Sequence, residues 1–387
     1  MKTKWILVIA LALSAGIGQA KEKKWKLSGK LQTSFEVREW FEREWEPGTE
    51  RDSGWLSRFA LERVRLEARF NPTDWARLVL ELEGAAELSF PDRYTTEALE
   101  PRRTEHEQLG FALRDAYAQF TPHPLAMVRV GQFKKPFSRL RMMSPWDLLL
   151  PRRGLLDARA VDGTRHGGFG GRDAGVMLYG KAEEMLGLRY WVGAFSGPMA
   201  SDGIEQSSKD FVGRIEVKPA PWLALAIDAS HKLYHYREGP VISGLALARG
   251  HAYTANLFGA DAALEVGPFS LSLEGALGSN VDFGPGHRLL GAHAIAGYRI
   301  EFPCGLALTP AFMAEVFDPS DEPGHDTVLR LAGGLNLDPA KWLRFQLYAE
   351  WTHGQMWTYD SEARSGFGGY VFGPVPTRAM LQMNVSL

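Results

Sequence analysis

The 387-residue sequence contains one cysteine, Cys304, and beyond its first 20 residues it lacks long apolar runs. A single cysteine excludes an internal disulfide and a zinc site built from two or more cysteines. No later apolar run reaches the length of about 18 residues that indicates a membrane-spanning helix. An excess of positive charge is also missing, because 44 Lys and Arg face 46 Asp and Glu. This balance argues against a general nucleic-acid-binding protein.

Residues 1–20 predict a signal peptide. Lys2 and Lys4 precede an unbroken apolar run from Trp5 to Leu13, and Gly18 and Ala20 are small residues that suit signal peptidase. Cleavage would leave 42 basic against 46 acidic residues, a net charge of −4. Charged residues make up 23% of the chain and are spread along it, which opposes both a disordered chain and a helical membrane bundle. A soluble exported protein and an outer-membrane β-barrel remain.

The apolar residues follow a period of two, which is typical of β-strands. In 75–84, Leu78, Leu80 and Leu82 lie on one face and Glu81 and Glu83 on the other. The stretches 25–37, 342–352 and 381–387 alternate in the same way. A soluble sandwich would produce this alternation too, so the lengths of the connections have to decide between the two folds.

The predicted connections fall into two classes of length. Tight turns rich in Pro, Gly, Asp or Asn occur at 71–74, 121–124, 182–185, 219–221, 267–268, 303–305 and 338–341. Longer polar connections lie at 42–56, 89–108, 134–171, 198–207, 237–250, 282–286, 318–325 and 355–371. This alternation predicts an all-β fold for residues 21–387: a 16-stranded antiparallel transmembrane β-barrel with short periplasmic turns and long extracellular loops, in the bacterial outer membrane.

Tryptophan and proline positions add two expectations. Aromatic girdles are typical of both membrane interfaces of a barrel. The short-turn girdle would contain Trp25, Trp75, Trp222 and Trp342, and the long-loop girdle would contain Trp40, Trp45, Trp55, Trp146, Trp351 and Trp357. Pro310 falls inside a predicted strand, where it should cause a bulge or a gap in pairing.

Three stretches together resemble the phosphate-selective porin O and P family. They are Leu113–Phe120 (LRDAYAQF), Val128–Phe137 (VRVGQFKKPF) and Arg172–Gly180 (RDAGVMLYG). The resemblance is carried by their order and spacing; elsewhere it is limited to the strand pattern. It implies a homotrimer of barrels, a long loop folded into each pore, and transport of small anions such as phosphate.

The longest connection, 134–171, is the candidate pore-constricting loop. With Arg172 it contains nine basic and three acidic residues, and rings of Arg and Lys select anions in pores. The candidate anion-binding residues are Lys134, Lys135, Arg139, Arg141, Arg152, Arg153, Arg159, Arg165 and Arg172. In the alternative arrangement, the loop stays outside and lipopolysaccharide phosphates hold its cations. The apolar residues at 148–150 and 155–156 could pack against the barrel wall or form a subunit contact.

A second set of cations lies on the first two strands. Alternation predicts a basic ladder in the lumen, formed by Lys26, Lys30, Arg63, Arg65 and Arg69. Glu36, Glu67, Glu81 and Glu83 share these polar faces. A wall of mixed charge made of ion pairs is therefore an equal alternative to a ladder that guides anions.

Other classes of function have weaker support in the sequence. The pair His231 and His235 would lie about 13 Å apart on a strand at roughly 3.3 Å per residue, too far for one metal ion. No catalytic motif is found, so the sequence predicts no enzyme, metal or cofactor. A porin for passive diffusion of small hydrophilic solutes is favoured, in contact with outer-membrane lipid and lipopolysaccharide; an anion-preferring general porin fits the sequence as well as a phosphate-selective one. A sugar or organic-acid channel, and a closed barrel acting as a receptor or adhesin, remain as alternatives.

Overall fold

The computed structural model describes residues 24–41, 53–88, 110–161, 169–197, 209–235, 241–242, 245–246, 252–280, 288–319, 327–360, 369–374 and 377–386. The predicted signal peptide lies outside the described residues and stays a prediction.

Sixteen long strands, numbered here in chain order, form one sheet. They are β1 Trp25–Phe41, β2 Ser53–Thr73, β3 Ala76–Leu88, β4 Gly110–His123, β5 Ala126–Lys134, β6 Arg172–Ala182, β7 Leu188–Phe195, β8 Lys209–Ala220, β9 Leu223–His235, β10 Ala252–Val266, β11 Phe269–Ser279, β12 Arg288–Tyr298, β13 Ala307–Asp318, β14 Val328–Ala340, β15 Leu343–His353 and β16 Arg378–Ser386. Each strand pairs antiparallel with the next.

The sheet closes on itself because β1 pairs with both β2 and β16. In the closing pair, Leu31 lies opposite Val385 and Phe35 opposite Leu381. Closure leaves no sheet edge, and a strand structure inside a bilayer requires this because every backbone N–H and C=O must be satisfied. The predicted closed 16-stranded antiparallel barrel is confirmed.

Each predicted tight turn connects two consecutive strands, and all seven lie at the same end of the barrel. The turn between β12 and β13 is the longest of them and contains a two-residue strand, Ile300–Glu301, paired with the start of β13. The opposite end carries the long connections. Within those, two short hairpins are described, Val241–Ile242 with Leu245–Ala246 and Gln355–Asp360 with Gly369–Pro374.

The period-two pattern sorts side chains between the lipid and the lumen. On β3, Leu78, Leu80 and Leu82 are exposed on the outer surface, whereas Glu81 and Glu83 are buried inside. The other strands repeat this arrangement, so a continuous apolar band surrounds the barrel. Burying such a band in lipid removes it from water, which places the protein in the outer membrane.

The predicted aromatic girdles are confirmed for six tryptophans, and the prediction is wrong for Trp146. Trp25, Trp75, Trp222 and Trp342 are exposed at the short-turn end, and Trp55 and Trp351 are exposed towards the other end. Trp146 does not belong to a girdle, because it is buried inside the barrel. Side chains of Trp40, Trp45 and Trp357 lie outside the described residues.

Pro310 causes a gap in strand pairing, as predicted. Gly297 pairs with Ala311 and Ile300 pairs with Leu308, but the ladder between β12 and β13 is interrupted at Pro310. Proline has no backbone N–H, so Pro310 cannot donate the hydrogen bond that would continue the ladder to β12. The pairing of Pro310 with Leu335 on the other side keeps its register.

Within the described ranges, helical structure occurs only in the connection between β5 and β6. It contains one turn of α-helix, α1 Arg139–Met142, and a π-helical turn, Asp157–Val161. Among the residues that the structure describes, no helix is long and apolar enough to cross a membrane.

Candidate functional site

The 135–171 loop connects β5 to β6, and its described residues, 135–161 and 169–171, lie inside the barrel. Its neck is closed where the Lys135 N–H donates to the Gly171 carbonyl at 3.0 Å. Beyond the neck, its described residues contact inward-facing side chains of strands on many sides of the lumen. Three kinds of contact hold it there: main-chain hydrogen bonds, ion pairs and apolar packing.

Wall carboxylates accept main-chain N–H groups of the loop. Asp228 accepts from Ser138 at 3.3 Å, and Glu274 accepts from Leu140 at 3.1 Å. Glu315 accepts two, from Leu155 at 2.8 Å and from Leu156 at 2.9 Å. A carboxylate makes a stronger hydrogen bond with an amide than a neutral acceptor does, so these acids fix the path of the loop.

These acids belong to a row of ionisable residues that runs around the inner wall, here called the charged belt. Its members, on successive strands from β9 to β16 and then β1, are Asp228, Asp261, Glu274, His293, Glu315, Arg330, Glu350, Arg378 and Glu36. Arg330 pairs with Glu315 and Glu350 at 3.2 Å each, and Arg378 pairs with Glu36 at 3.1 Å. Cations within the belt therefore stabilise the acids that hold the loop.

Wall amides hold carbonyl groups of the loop. Asn336 donates to the Leu149 carbonyl at 2.9 Å, Gln346 to the Leu148 carbonyl at 3.1 Å, and Gln32 to the Pro145 carbonyl at 3.4 Å. Buried backbone groups need such partners because no water replaces them. The loop backbone is thus anchored on β1, β14 and β15.

The predicted loop cations are themselves engaged by acids. Lys135 pairs with Asp210 of β8 at 2.6 Å, and both are buried. Arg139 reaches Asp261 at 2.6 Å and Glu216 at 3.0 Å. These contacts favour a role in holding the loop over direct contact with a passing ion.

Four further predicted cations also have partners within the protein. Lys134 donates to the carbonyls of Arg141 and Met143 at 2.9 and 3.1 Å, and Arg153 donates to those of Leu140 and Met143 at 3.0 and 2.9 Å. Arg141 lies 3.5 Å from Asp157. Arg172 pairs with Asp115 at 2.7 Å and Glu81 at 3.2 Å.

Arg152 differs because it stays partly open to the lumen while it pairs with Glu36 at 3.1 Å. The pKa of its guanidinium is lowered, mainly by burial and also by the nearby Arg378, and Glu36 opposes this effect. A guanidinium keeps its charge at neutral pH even so. Of the remaining loop cations, Arg165 and the side chain of Arg159 lie outside the described residues.

Apolar packing completes the attachment of the loop. One cluster joins loop residues, among them Phe137, Leu156 and Phe169, to inward-facing Phe195 and Phe317 of the wall. A second cluster joins Leu140, Leu148 and Leu150 to Ile295, Met313 and Tyr348. Fully burying a large apolar side chain is worth about 1.5–3 kcal/mol. The loop leucines therefore pack against the wall, which was one of the two arrangements expected for them.

The predicted basic ladder lies on the inner surface of β1 and β2, where it is mixed with acids. Arg65 pairs with Glu81 at 3.3 Å and more closely with Glu83, and Arg69 pairs with Glu67 at 2.5 Å. The charged groups of Lys30 and Arg65 also lie against the Trp146 ring, at 5.0 and 4.8 Å from its centroid. Lys26 is exposed near the short-turn end.

The side chains in these ion pairs are not equally exposed to the lumen. Arg63 is 29% and Arg114 is 34% exposed, whereas their shared partner Glu83 is 7% exposed. Arg69 is 41% exposed against 16% for Glu67, and Arg152 is 32% exposed while Glu36 is fully buried. Asp115 departs from this pattern, since it is more exposed than its partner Arg172. At most of these sites, an ion in the lumen would meet the guanidinium and not the carboxylate.

The acids of β8–β13 are the functional residues that sequence reasoning missed. Asp210, Asp228, Asp261, Glu274 and Glu315 are buried and contact the loop or its arginines. The sequence carries one signal for them, because each is a charged residue on the polar face of an alternating strand. A carboxylate on the inner face of a lumen can equally line water, so this signal does not reveal the partner.

A replacement of Lys135 by methionine is expected to lower the thermal stability of the barrel while leaving its ion selectivity unchanged. Breaking a buried ion pair costs about 3–5 kcal/mol, and here Lys232, 3.2 Å from Asp210, would offset part of that cost. Thermal unfolding followed by circular dichroism measures the first effect. Lys181→Met, at an exposed turn pair with Glu183, is the control. A melting temperature equal to that of the control would contradict the docking role.

The closed barrel, its lipid-facing band and the loop in its lumen define the architecture of bacterial outer-membrane porins. The chain matches no known family model and no curated protein sequence.

Solved structures share the architecture over nearly the whole chain. An anion-selective porin from Comamonas acidovorans has a TM-score of 0.61 and 12% identity, covering 95% of this chain and 100% of that one. OprB of Pseudomonas putida has a TM-score of 0.56 and 10% identity, covering 100% and 98%. OmpF of Salmonella typhi, in complex with daunomycin, has a TM-score of 0.55 and 11% identity, covering 94% and 97%. At these identities the likeness shows the porin fold.

Proposed function

We propose that this protein is an outer-membrane porin that lets small hydrophilic solutes diffuse passively and that prefers anions. The observation that carries the preference is the unequal exposure within the lumenal ion pairs, where Arg63, Arg114 and Arg152 are more exposed than their carboxylate partners. Electrostatic attraction of a permeating ion depends on the charges it can approach. The net charge of −2 for the whole chain is therefore a poor guide to selectivity.

The 135–171 loop is proposed to narrow the passage. A 16-stranded barrel is wide enough for an aqueous channel, and a loop attached inside it reduces the open cross-section. Arg152 is the loop cation best suited to meet ions, since it combines partial exposure with a fixed position beside Glu36. The other described loop cations, from Lys134 to Arg172, would act mainly by holding the loop in place.

Phosphate is a candidate solute. The forked donors of arginine suit phosphate oxygens, and the sequence resembles the phosphate-selective porin O and P family at 113–180. The same resemblance supports a homotrimer, and the lipid-facing band supports contact with lipid and lipopolysaccharide. The proposal gives the barrel no catalytic role.

Reconstitution into a planar lipid bilayer tests the function. The reversal potential across a KCl gradient is expected to have the sign of a channel that prefers chloride, and added phosphate is expected to reduce the chloride current. A cation-selective reversal potential would overturn the anion preference. Absence of current would instead favour a closed barrel, with the loop as its plug, and unaltered current in phosphate would contradict phosphate as a preferred solute.

A further inference from the structure

A row of polar side chains lies on the outer surface of the barrel, towards the long-loop end. Its members are His231 of β9, Asn256 of β10 and Ser279 of β11, which lie opposite one another on adjacent strands. His231 Nδ1 lies 2.7 Å from the Asn256 side-chain oxygen, and the Asn256 amide donates to the Ser279 hydroxyl at 3.3 Å. These three residues are here called the outer polar row.

The outer polar row marks the limit of the apolar band on this face. The next outward-facing residues along these strands and β12, towards the middle of the membrane, are Phe258, Leu277 and Leu290, and all three are exposed. Elsewhere at this end, the exposed side chains include Trp55 and Trp351. Polar side chains in hydrocarbon are costly, so the row lies at the level of the lipid head groups.

Two exposed cations flank the outer polar row. Arg288 of β12 lies opposite Ser279, and Lys209 lies on β8, next to β9. Both also interact with other residues of the chain. One acid, Asp318 of β13, adjoins this side, and its carboxylate accepts from Thr327 at 3.1 Å. Strands lie about 4.8 Å apart, so the cations are on strands separated by about 19 Å, and each suits a phosphate group.

The outer polar row keeps hydrogen-bonding groups for an outside partner. The Asn256 side-chain oxygen only accepts, so His231 Nδ1 carries the proton and Nε2 is left for another partner. Ser279 accepts from Asn256, which leaves its own hydroxyl proton to donate. No residue in the described ranges takes either group. An imidazole nitrogen and a hydroxyl between two cations match the hydroxyl and phosphate groups of a phosphorylated sugar.

An apolar groove of about 670 Å³ lies on the outer surface beyond Phe258, towards the middle of the membrane. Three large side chains line it, Leu273, Val316 and Leu329, all exposed outwards. Its small lining residues are Ala260, Ala262, Gly275, Ala292, Ala294 and Ala314. The other four lining residues belong to the charged belt and face the lumen: Asp261, Glu274, His293 and Glu315. The outward side chains are therefore all apolar, and the groove suits a hydrocarbon chain.

We propose that this face binds one lipopolysaccharide molecule. The phosphates and sugar groups of its lipid A would contact the outer polar row and the flanking Lys209 and Arg288, and one acyl chain would lie in the groove. The long loops of such barrels face the outside of the cell, where lipopolysaccharide forms the outer leaflet. A phospholipid with one phosphate and no sugar would satisfy only part of this surface.

The inference deepens the proposed contact with lipopolysaccharide and rests on it, but its test does not depend on conduction. Native mass spectrometry would follow binding to the detergent-solubilised full-length protein, titrated with lipid A and, for comparison, with phosphatidylglycerol. One lipid A molecule per barrel is expected to bind at concentrations that leave phosphatidylglycerol unbound. Equal binding of the two lipids, or no binding of lipid A, would overturn the proposal.

Three variants locate the site. His231→Ala and Arg288→Gln remove head-group contacts, and Ala292→Phe fills the groove. Each should weaken lipid A binding about tenfold, equivalent to about 1.4 kcal/mol. The matched controls, His353→Ala at the long-loop end of β15 and Arg299→Gln at an exposed turn, should keep wild-type affinity. Circular dichroism verifies that each variant folds.

Wild-type affinity in both head-group variants would overturn the site, and wild-type affinity in Ala292→Phe would exclude the groove from it. A barrel that conducts without binding lipid A would refute this inference alone. A barrel that binds lipid A but carries no current would refute the channel and leave the lipid site standing.

Discussion

A Glu315→Ala variant is expected to conduct several-fold more current per channel than the wild-type protein. Glu315 accepts the N–H groups of Leu155 and Leu156 and pairs with Arg330, all inside the barrel. Each orphaned buried donor costs about 1–3 kcal/mol, more if it is charged. Release of residues 154–157 from the wall would widen the passage, which single-channel recording in a planar bilayer measures.

The matched control is Glu301→Ala, which removes a carboxylate from an exposed turn and should leave conductance unchanged. Gly154→Ala offers a milder route to the same result. Gly154 has a φ of +114°, and an added Cβ would lie 2.6 Å from a Glu315 carboxylate oxygen. Greater cleavage of the loop by added protease should accompany the higher conductance in both variants. Wild-type conductance together with a resistant loop would show that Glu315 does not hold the constriction.

Replacing Arg63 and Arg114 together by glutamate is expected to reverse the ion selectivity from anions to cations. Both arginines are open to the lumen beside the buried Glu83, so the exchange converts a wall with exposed positive charge into a cluster of acids. The reversal potential across a KCl gradient should change sign, and the effect should decrease at high salt because mobile ions screen the wall.

A double control for this reversal is Lys181→Glu with Arg299→Glu. It changes the total charge by the same amount but acts at exposed turn residues on strands other than those of Arg63 and Arg114. Selectivity should remain that of the wild type. An equal change of reversal potential in both double variants would mean that overall charge, and not the Arg63–Arg114 surface, governs permeation.

The strands were predictable because their cause is local. Alternation requires only that each residue face either lipid or lumen, and a tight turn requires only a few residues of suitable type. Pro310 was predictable for the same reason, since the missing N–H is a property of the residue itself. The position of Trp146 was not predictable, because the local sequence does not distinguish a tryptophan at a membrane interface from one packed inside a barrel.

The placement of the loop depends on residues far away in the chain. Lys135 meets Asp210, Arg139 meets Asp261, and Glu315 holds the amides of Leu155 and Leu156. These partners lie 75 to 160 residues apart in the sequence. The loop sequence alone does not distinguish attachment to the barrel wall from an extended external position, because its basic residues would find anionic partners in both.

The amino-acid sequence by itself determined a sixteen-stranded barrel with an apolar outer surface and a basic loop, because period-two burial and turn chemistry act between near neighbours. Only the tertiary structure decided which charges remain open to the lumen. Closure of the barrel brings acids from many strands onto the loop, neutralises most of its cations and leaves a few arginines exposed. Ion pairing inside a lumen is a property of distance in space, and that distance is set by the closed sheet.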